Sequence, residues 1–325
     1  MVVYNKSLLT IVGFILFIAI VVLLAILTLF SSSSSPISDT ECIAEYRIFG
    51  ELTFPEEDVE RESIFSEPRI SLSEIISDLN KINNDKKAKA LLLKINSPGG
   101  GVYQTKEIFS ALKKFNKPIV VYYSELGTSG AYYIGLPAKF IIAHPNAIIG
   151  SIGVRLDNIN IVGLLEKIGV NITTYKSGKY KDLLSSTRNL TKEEEDIVIQ
   201  IIKDIYSDFV NDVKEFRGSK ISDNDAYEAK IYTGKQALNA GLVDQIGSLE
   251  DARKKAFELA NLTYDEKKIC NYEKKKKASL MDLFASSFYM IGKYFAKGFS
   301  DGLKPDIGNS DHSLKYIENI QKIKV

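Results

Sequence analysis

The sequence predicts an α/β protein in which parallel strands alternate with crossover helices, tethered by one N-terminal transmembrane helix. Three observations predict it. From about Ile43 onward, β-branched and aliphatic runs alternate with amphipathic stretches, the pattern of strands joined through helices. Glycine-bearing turns close two of those runs, at Asn96–Gly101 and at Glu125–Gly130. Upstream of both, Leu8 to Phe30 runs for 23 residues without a charge.

At about 1.5 Å rise per residue that stretch reaches about 34 Å, enough to cross a hydrocarbon layer of about 30 Å. A cleaved signal peptide has a shorter apolar core and a small-x-small cleavage site; neither is present. Lys6 precedes the span and the next positive charge is Arg47. This bias puts the amino terminus inside and the bulk of the chain outside the cytoplasm, as a single-pass protein of the cell membrane. Ser31 to Ser35 with Pro36 reads as a flexible linker, residues 31–42, between the anchor (1–30) and a folded domain (43–264).

Within that domain, Ala90–Ile95 reads as a buried strand, Lys106–Phe115 as a helix and Ile119–Tyr123 as a second buried strand. Phe140–Ala143 and Ile148–Ile149 read as further strand pieces, and Leu164–Ile168 as a short helix. Thr191 with Glu194 makes a capping box opening a long helix to about Phe216. Its Ile197, Ile201, Ile205 and Phe209 form one stripe, for the core or for a neighbouring subunit. Leu249–Leu259 is a charge-rich helix. In the tail, 265–325, Lys274–Lys277 precede an apolar stretch, Met281–Phe299, with scattered lysines. It suits an amphipathic helix against anionic membrane lipid, or a packing tail.

Composition excludes several classes. With 325 residues, 45% hydrophobic, 26% charged and a net charge of +1, the chain carries no nucleic-acid footprint. Cys42 and Cys270 are the only cysteines and make no metal spacing; they either pair or remain separate thiols.

Three segments carry candidate chemistry. Asn96-Ser97-Pro98-Gly99-Gly100-Gly101 ends one strand, and its glycines let backbone amides face a ligand. Those amides suit an oxyanion; the loop lacks the spacing of a nucleotide-phosphate loop. Ser129 follows the next strand in Gly127-Thr128-Ser129-Gly130-Ala131. A helix cap is the commoner role for such a serine, a nucleophile the alternative. Ala131 also breaks the G-x-S-x-G elbow pattern. As nucleophile, Ser129 needs a base. His144 and His312 have no evident Asp partner, whereas Lys176, Lys179 and Lys181 cluster around Ser177-Gly178. A lysine base must be neutral, which means lowering its pKa from about 10.4 to about 7–8 by desolvation.

Together these segments resemble the signal peptide peptidase A (SppA) family, membrane-anchored serine peptidases of the ClpP/crotonase-like fold. The resemblance runs from about Ile43 to Leu262. It rests on the loop from Asn96 to Gly101, Thr128–Tyr133, Gly150–Val154, Lys176–Asp182, Ile231–Ala237 and Gly241–Gly247, in the family's order. It implies Ser129 as nucleophile and Lys181 as general base, with oxyanion amides at Gly100 and Gly130 and Ser151 orienting the lysine. It further implies no metal and no cofactor, cleaved signal peptides or other apolar peptides as substrates, and a ring-shaped homo-oligomer, with Lys181 serving Ser129 either within one subunit or across to a neighbour. Ala131 stands where the family has a second glycine. Two other readings remain at this stage: a crotonase-type acyl-CoA enzyme without a nucleophile, and a non-catalytic membrane scaffold.

Overall fold

The computed structural model describes residues 40–53 and 71–272; the apolar span, residues 31–39 of the linker and the apolar tail stretch lie outside the described residues, and Cys42, the last linker residue, belongs to the first strand. Strand β1 (Cys42–Phe49) is followed by helix α1 (Leu72–Asn84), strand β2 (Ala88–Ser97), helix α2 (Val102–Lys113) and strand β3 (Ile119–Thr128). Next come helix α3 (Gly130–Gly135), strands β4 (Phe140–Ala143) and β5 (Ile148–Gly150), and helices α4 (Val162–Lys167) and α5 (Lys192–Arg217). Strand β6 (Ile231–Thr233), helix α6 (Gly234–Asn239), strand β7 (Gln245–Ile246), helix α7 (Leu249–Leu259) and strand β8 (Ile269–Asn271) complete the order. This is the mixed α/β fold expected.

The sheet runs β6-β5-β3-β2-β1-β8, with β4 beside β3 and β7 beside β4. Every pairing is parallel except β5 with β6. Its central strands are buried on both faces, so their sequences are nearly continuous in apolar residues and successive side chains part to opposite sides. Leu91, Leu93, Val121 and Tyr123 join the core under α1, α2, α3 and α5. Leu92, Val120 and Tyr122 join a smaller one with Ala252, Ala256 and Phe257 of α7.

Helix ends follow their caps. Thr191 and Glu194 exchange the reciprocal bonds of the capping box that opens α5. The α5 stripe divides: Phe209 and Val213 are buried, while Ile201 remains exposed. Helix α2 starts four residues earlier than the pattern suggested, because Gly101 takes the extended cap conformation and Val102 begins the helix. Cys42 and Cys270 form a disulfide joining β1 to β8, which settles the pairing the sequence left open.

Strand β3 fixes the site. Its first half, Val120–Tyr123, pairs with β4, and its last residues, Leu126–Thr128, pair with β5. Gly127 is therefore strand and not turn, and it is glycine because a Cβ there would sit 2.2 Å from the Tyr123 ring. The change of neighbour carries the end of β3 out beside the β2 end, where Ser97 pairs with Gly127.

Candidate active site

Ser129 stands between β3 and α3 with φ 55° and ψ −126°, a conformation that non-glycine residues rarely hold. Such strain costs on the order of 1–3 kcal/mol and persists only where the surroundings over-determine it. Here the Ser129 amide donates to the Gly150 carbonyl at 2.8 Å, and the Ser129 carbonyl accepts from Tyr133 at 3.0 Å. All six residues of α3 are buried, which anchors the far side of the turn. The Ser129 hydroxyl makes no capping bond to α3, so the commoner role for this serine does not apply.

The glycine loop abuts this turn. A Cβ on Gly99 would lie 2.8 Å from the Gly130 nitrogen and 2.9 Å from Ser129 Cβ, and Gly99 holds φ +95°. Gly100 forms a parallel bridge with Leu52. The bonds of that bridge belong to its neighbours: Leu52 donates to the Gly99 carbonyl at 2.8 Å and Gly101 donates to the Leu52 carbonyl at 2.9 Å. In a parallel bridge the middle residue turns its own N–H away from the partner strand, which leaves the Gly100 amide available on the other side. The Gly130 amide belongs to the first turn of α3, where no intrahelical acceptor exists. Gly130 must be glycine, because a Cβ would meet Thr105 Oγ1 at 2.4 Å.

Ser129, Gly100, Gly130 and Ser151 line one cleft of about 620 Å³. Ser151 holds φ 53° and its amide donates to the Lys230 carbonyl. Thr105, Lys106, Tyr133, Ile205 and Phe209 complete much of the wall, and none of these stands out in the sequence as a site residue. Only the spacing of Ile205 and Phe209 on α5 gave a signal. The methyl of Ala131 goes into the core and Ala131 does not line the cleft, so it leaves the cleft unchanged.

Lys181 is not among the cleft residues of this chain; it is exposed, in the turns between α4 and α5. Its loop is nonetheless held. Arg188 donates from Nε and Nη2 to both carboxylate oxygens of Asp182, at 2.7 and 2.8 Å, and from Nη1 and Nη2 to Glu194, at 2.8 and 2.5 Å. Lys176 Nζ reaches Asp182 at 2.6 Å. Arg188 and the Thr191 amide hold the Glu194 carboxyl down at about 2, and Arg188 and Lys176 hold Asp182 well below the usual carboxylate range. His144 lies outside the cleft, and its Nδ1 accepts from the Asn146 amide at 3.3 Å. Among the described residues no group of His, Cys, Asp and Glu is arranged to hold a metal.

The family model for peptidase family S49 matches residues 111–263, spanning Ser129, Ser151 and Lys181. That for Clp protease matches residues 63–149. A protein of Methanocaldococcus jannaschii named as a protease is 39% identical over 71% of this chain and 75% of its own length. An Enterococcus faecium protein bearing the name signal peptide peptidase SppA is 36% identical over 76% of each. The chain belongs to peptidase family S49, the SppA family. As an S49 member it is a serine peptidase, and the acyl-CoA and scaffold readings fall away. A chloroplastic serine protease SPPA of Arabidopsis thaliana, 30% identical over 61% of this chain and 30% of its own length, agrees with that assignment.

Proposed function

We propose that Ser129 is the nucleophile of this S49 peptidase and that Lys181 of an adjacent copy is its general base. The observation that carries the reading is the Ser129 turn. A strained serine whose hydroxyl caps nothing lies against a glycine loop, on a cleft shared with Gly100, Gly130 and Ser151. Ser129 Oγ attacks the peptide carbonyl while the neutral lysine Nζ accepts the hydroxyl proton. The Gly100 and Gly130 amides receive the oxyanion, an interaction in which losing one donor costs about 2.7–4 kcal/mol in a serine protease of another fold. The lysine then protonates the leaving amine, and water, deprotonated by the same lysine, releases the acyl group. Ser151 orients the lysine.

Lys181 stands outside its own chain's cleft, and the segment around it exposes apolar side chains, among them Ile159 at 75% and Tyr175 at 93%. Patches of that kind mark contacts between proteins. We infer a closed homo-oligomeric ring in which this segment packs on a neighbour, which desolvates the amine and brings it to Ser129. The residue 8–30 apolar span anchors the assembly, with the peptidase domain outside the cytoplasm. The Cys42–Cys270 disulfide fits an oxidising compartment. Substrates are then apolar peptides at the membrane, such as cleaved signal peptides.

Mixing tests this directly. Ser129→Ala and Lys181→Ala each abolish cleavage of a signal-peptide-like substrate and labelling by a fluorophosphonate probe. Co-assembled in equal amounts, the two inactive variants recover about a quarter of wild-type activity, the fraction of neighbouring pairs that unite an intact serine with an intact lysine. Full activity of either single variant, or no recovery in a verified mixed oligomer, overturns the reading.

A further inference from the structure

Lys106 lies on α2, on the same cleft as Ser129, and its ammonium is fixed in place. Nζ is 3.1 Å from Asp212 Oδ2 and 3.6 Å from Asp208 Oδ2, both on α5. It also sits 4.9 Å from the centroid of the Tyr133 ring. The Tyr133 hydroxyl donates to the same Asp212 oxygen. The ring itself stacks on Phe209 with centroids 4.5 Å apart and lies 4.8 Å from Phe109. An aromatic wall therefore ends in an immobilised cation.

That cation is not used up. An ammonium has three N–H donors; one is given to Asp212, and Asp208 is beyond good hydrogen-bond range. The Lys106 side chain remains 33% exposed. The surrounding charge also discriminates. One lysine and two aspartates leave the cluster net negative, so a carboxylate is disfavoured there while a neutral acceptor is not.

We propose that Lys106 is a specificity-determining residue, selecting substrates whose side chain beside the scissile bond ends in a neutral amide oxygen, glutamine above methionine and above glutamate. The ring faces of Tyr133 and Phe209 are packed within the protein, so the methylene stem of glutamine passes along their cleft-facing edges while its carbonyl accepts from Lys106 Nζ. Methionine, of similar length, offers the apolar stem without the acceptor. This departs from a wholly apolar pocket for membrane peptides, and it rests on Ser129 being the nucleophile.

The test uses the full-length protein and peptides that differ only by Gln, Met or Glu at each position from three residues before the cleaved bond to two after it. At one of those positions wild type cleaves the Gln peptide ahead of Met and Glu. Lys106→Met lowers the Gln-to-Met ratio on the order of tenfold, the scale of one hydrogen bond to a charged group, and Lys106→Arg preserves it. A ratio, unlike a rate, is insensitive to a general loss of folded enzyme. Wild type that favours Met at every position overturns the proposal without any variant, and so does an unchanged ratio in folded Lys106→Met. Cleavage that survives Ser129→Ala instead overturns the nucleophile assignment.

Discussion

Replacing Gly99 by alanine tests whether the glycine loop supports the nucleophile. The residue holds φ +95°, and the added methyl would meet the Gly130 nitrogen at 2.8 Å, Ser129 Cβ at 2.9 Å and the Thr128 carbonyl oxygen at 3.0 Å. None of these is the far end of a flexible side chain, so relief requires moving backbone. The left-handed conformation alone costs an alanine roughly 1–2 kcal/mol, and overpacking against fixed atoms adds about 1–3 kcal/mol. A loss of about 2–5 kcal/mol lowers Tm by about 4–20 °C in a domain of this size. The atoms that must move are the nucleophile turn and an oxyanion amide, so kcat falls on the order of a hundredfold even in the folded fraction. Calorimetry and active-site-titrated kinetics measure the two effects separately. Gly163→Ala is the control: nothing lies within 4 Å of its added Cβ, and in helix α4 an alanine gains about 0.5–1 kcal/mol. A Gly99→Ala enzyme with wild-type Tm and kcat refutes the placement of the loop against Ser129.

Three further outcomes follow from the same coordinates. Thr105 Oγ1 is buried without a hydrogen-bond partner, so Thr105→Val raises stability by about 1 kcal/mol in chemical denaturation, whereas a satisfied hydroxyl would make it destabilising. Arg217, 2% exposed, donates to both oxygens of Asp244 at 2.9 Å; Asp244→Asn strands that cation and costs about 3–5 kcal/mol. Burial alone would raise the Asp244 carboxyl, but Lys220 and Arg217 outweigh it and hold the group below its ordinary value. Its contribution is thus present above about pH 4 and lost as pH falls through the lowered value, so wild type but not Asp244→Asn shows this acid-linked loss. Arg188→Gln releases the loop that carries Lys181, read as faster hydrogen exchange over residues 176–190 at pH 7. In wild type, protection corrected for intrinsic rate persists at pH 5 and is lost toward pH 2, as Glu194, held at about 2, takes up its proton.

Much of the architecture was legible because it depends on local pattern. Phe140–Ala143 and Leu249–Leu259 match the observed elements residue for residue, and the Thr191–Glu194 box marks the start of α5. Apolar runs mark strands buried on both faces whichever neighbour they take. What the runs do not encode is the neighbour itself, so the passage of β3 from β4 to β5, and Gly127 lying in strand, emerged only from tertiary pairing. Helix α1 went unremarked although Ser71 caps it and Leu72, Ile75, Leu79 and Ile82 form its buried stripe. At the site, Gly99 and Gly100 are visible because the positive φ of Gly99 and the close approach of Leu52 backbone to Gly100 require glycine, and Ser129 because it follows an apolar run between glycines. Thr105, Lys106 and Tyr133 are invisible, since each gains its position from another helix. The exposure of Lys181 is likewise beyond a reading of one chain if its partner is another copy.

The bond between Cys42 and Cys270 joins the first strand to the last, with Cα atoms 5.9 Å apart and 228 positions between them in sequence. β8 is only three residues long and sits at the sheet margin, where a tug on the chain would ordinarily peel it away like a zip. With the covalent link in place, tension applied at either end of the domain passes through sulfur from one terminus to the other. The sheet between them carries none of that load.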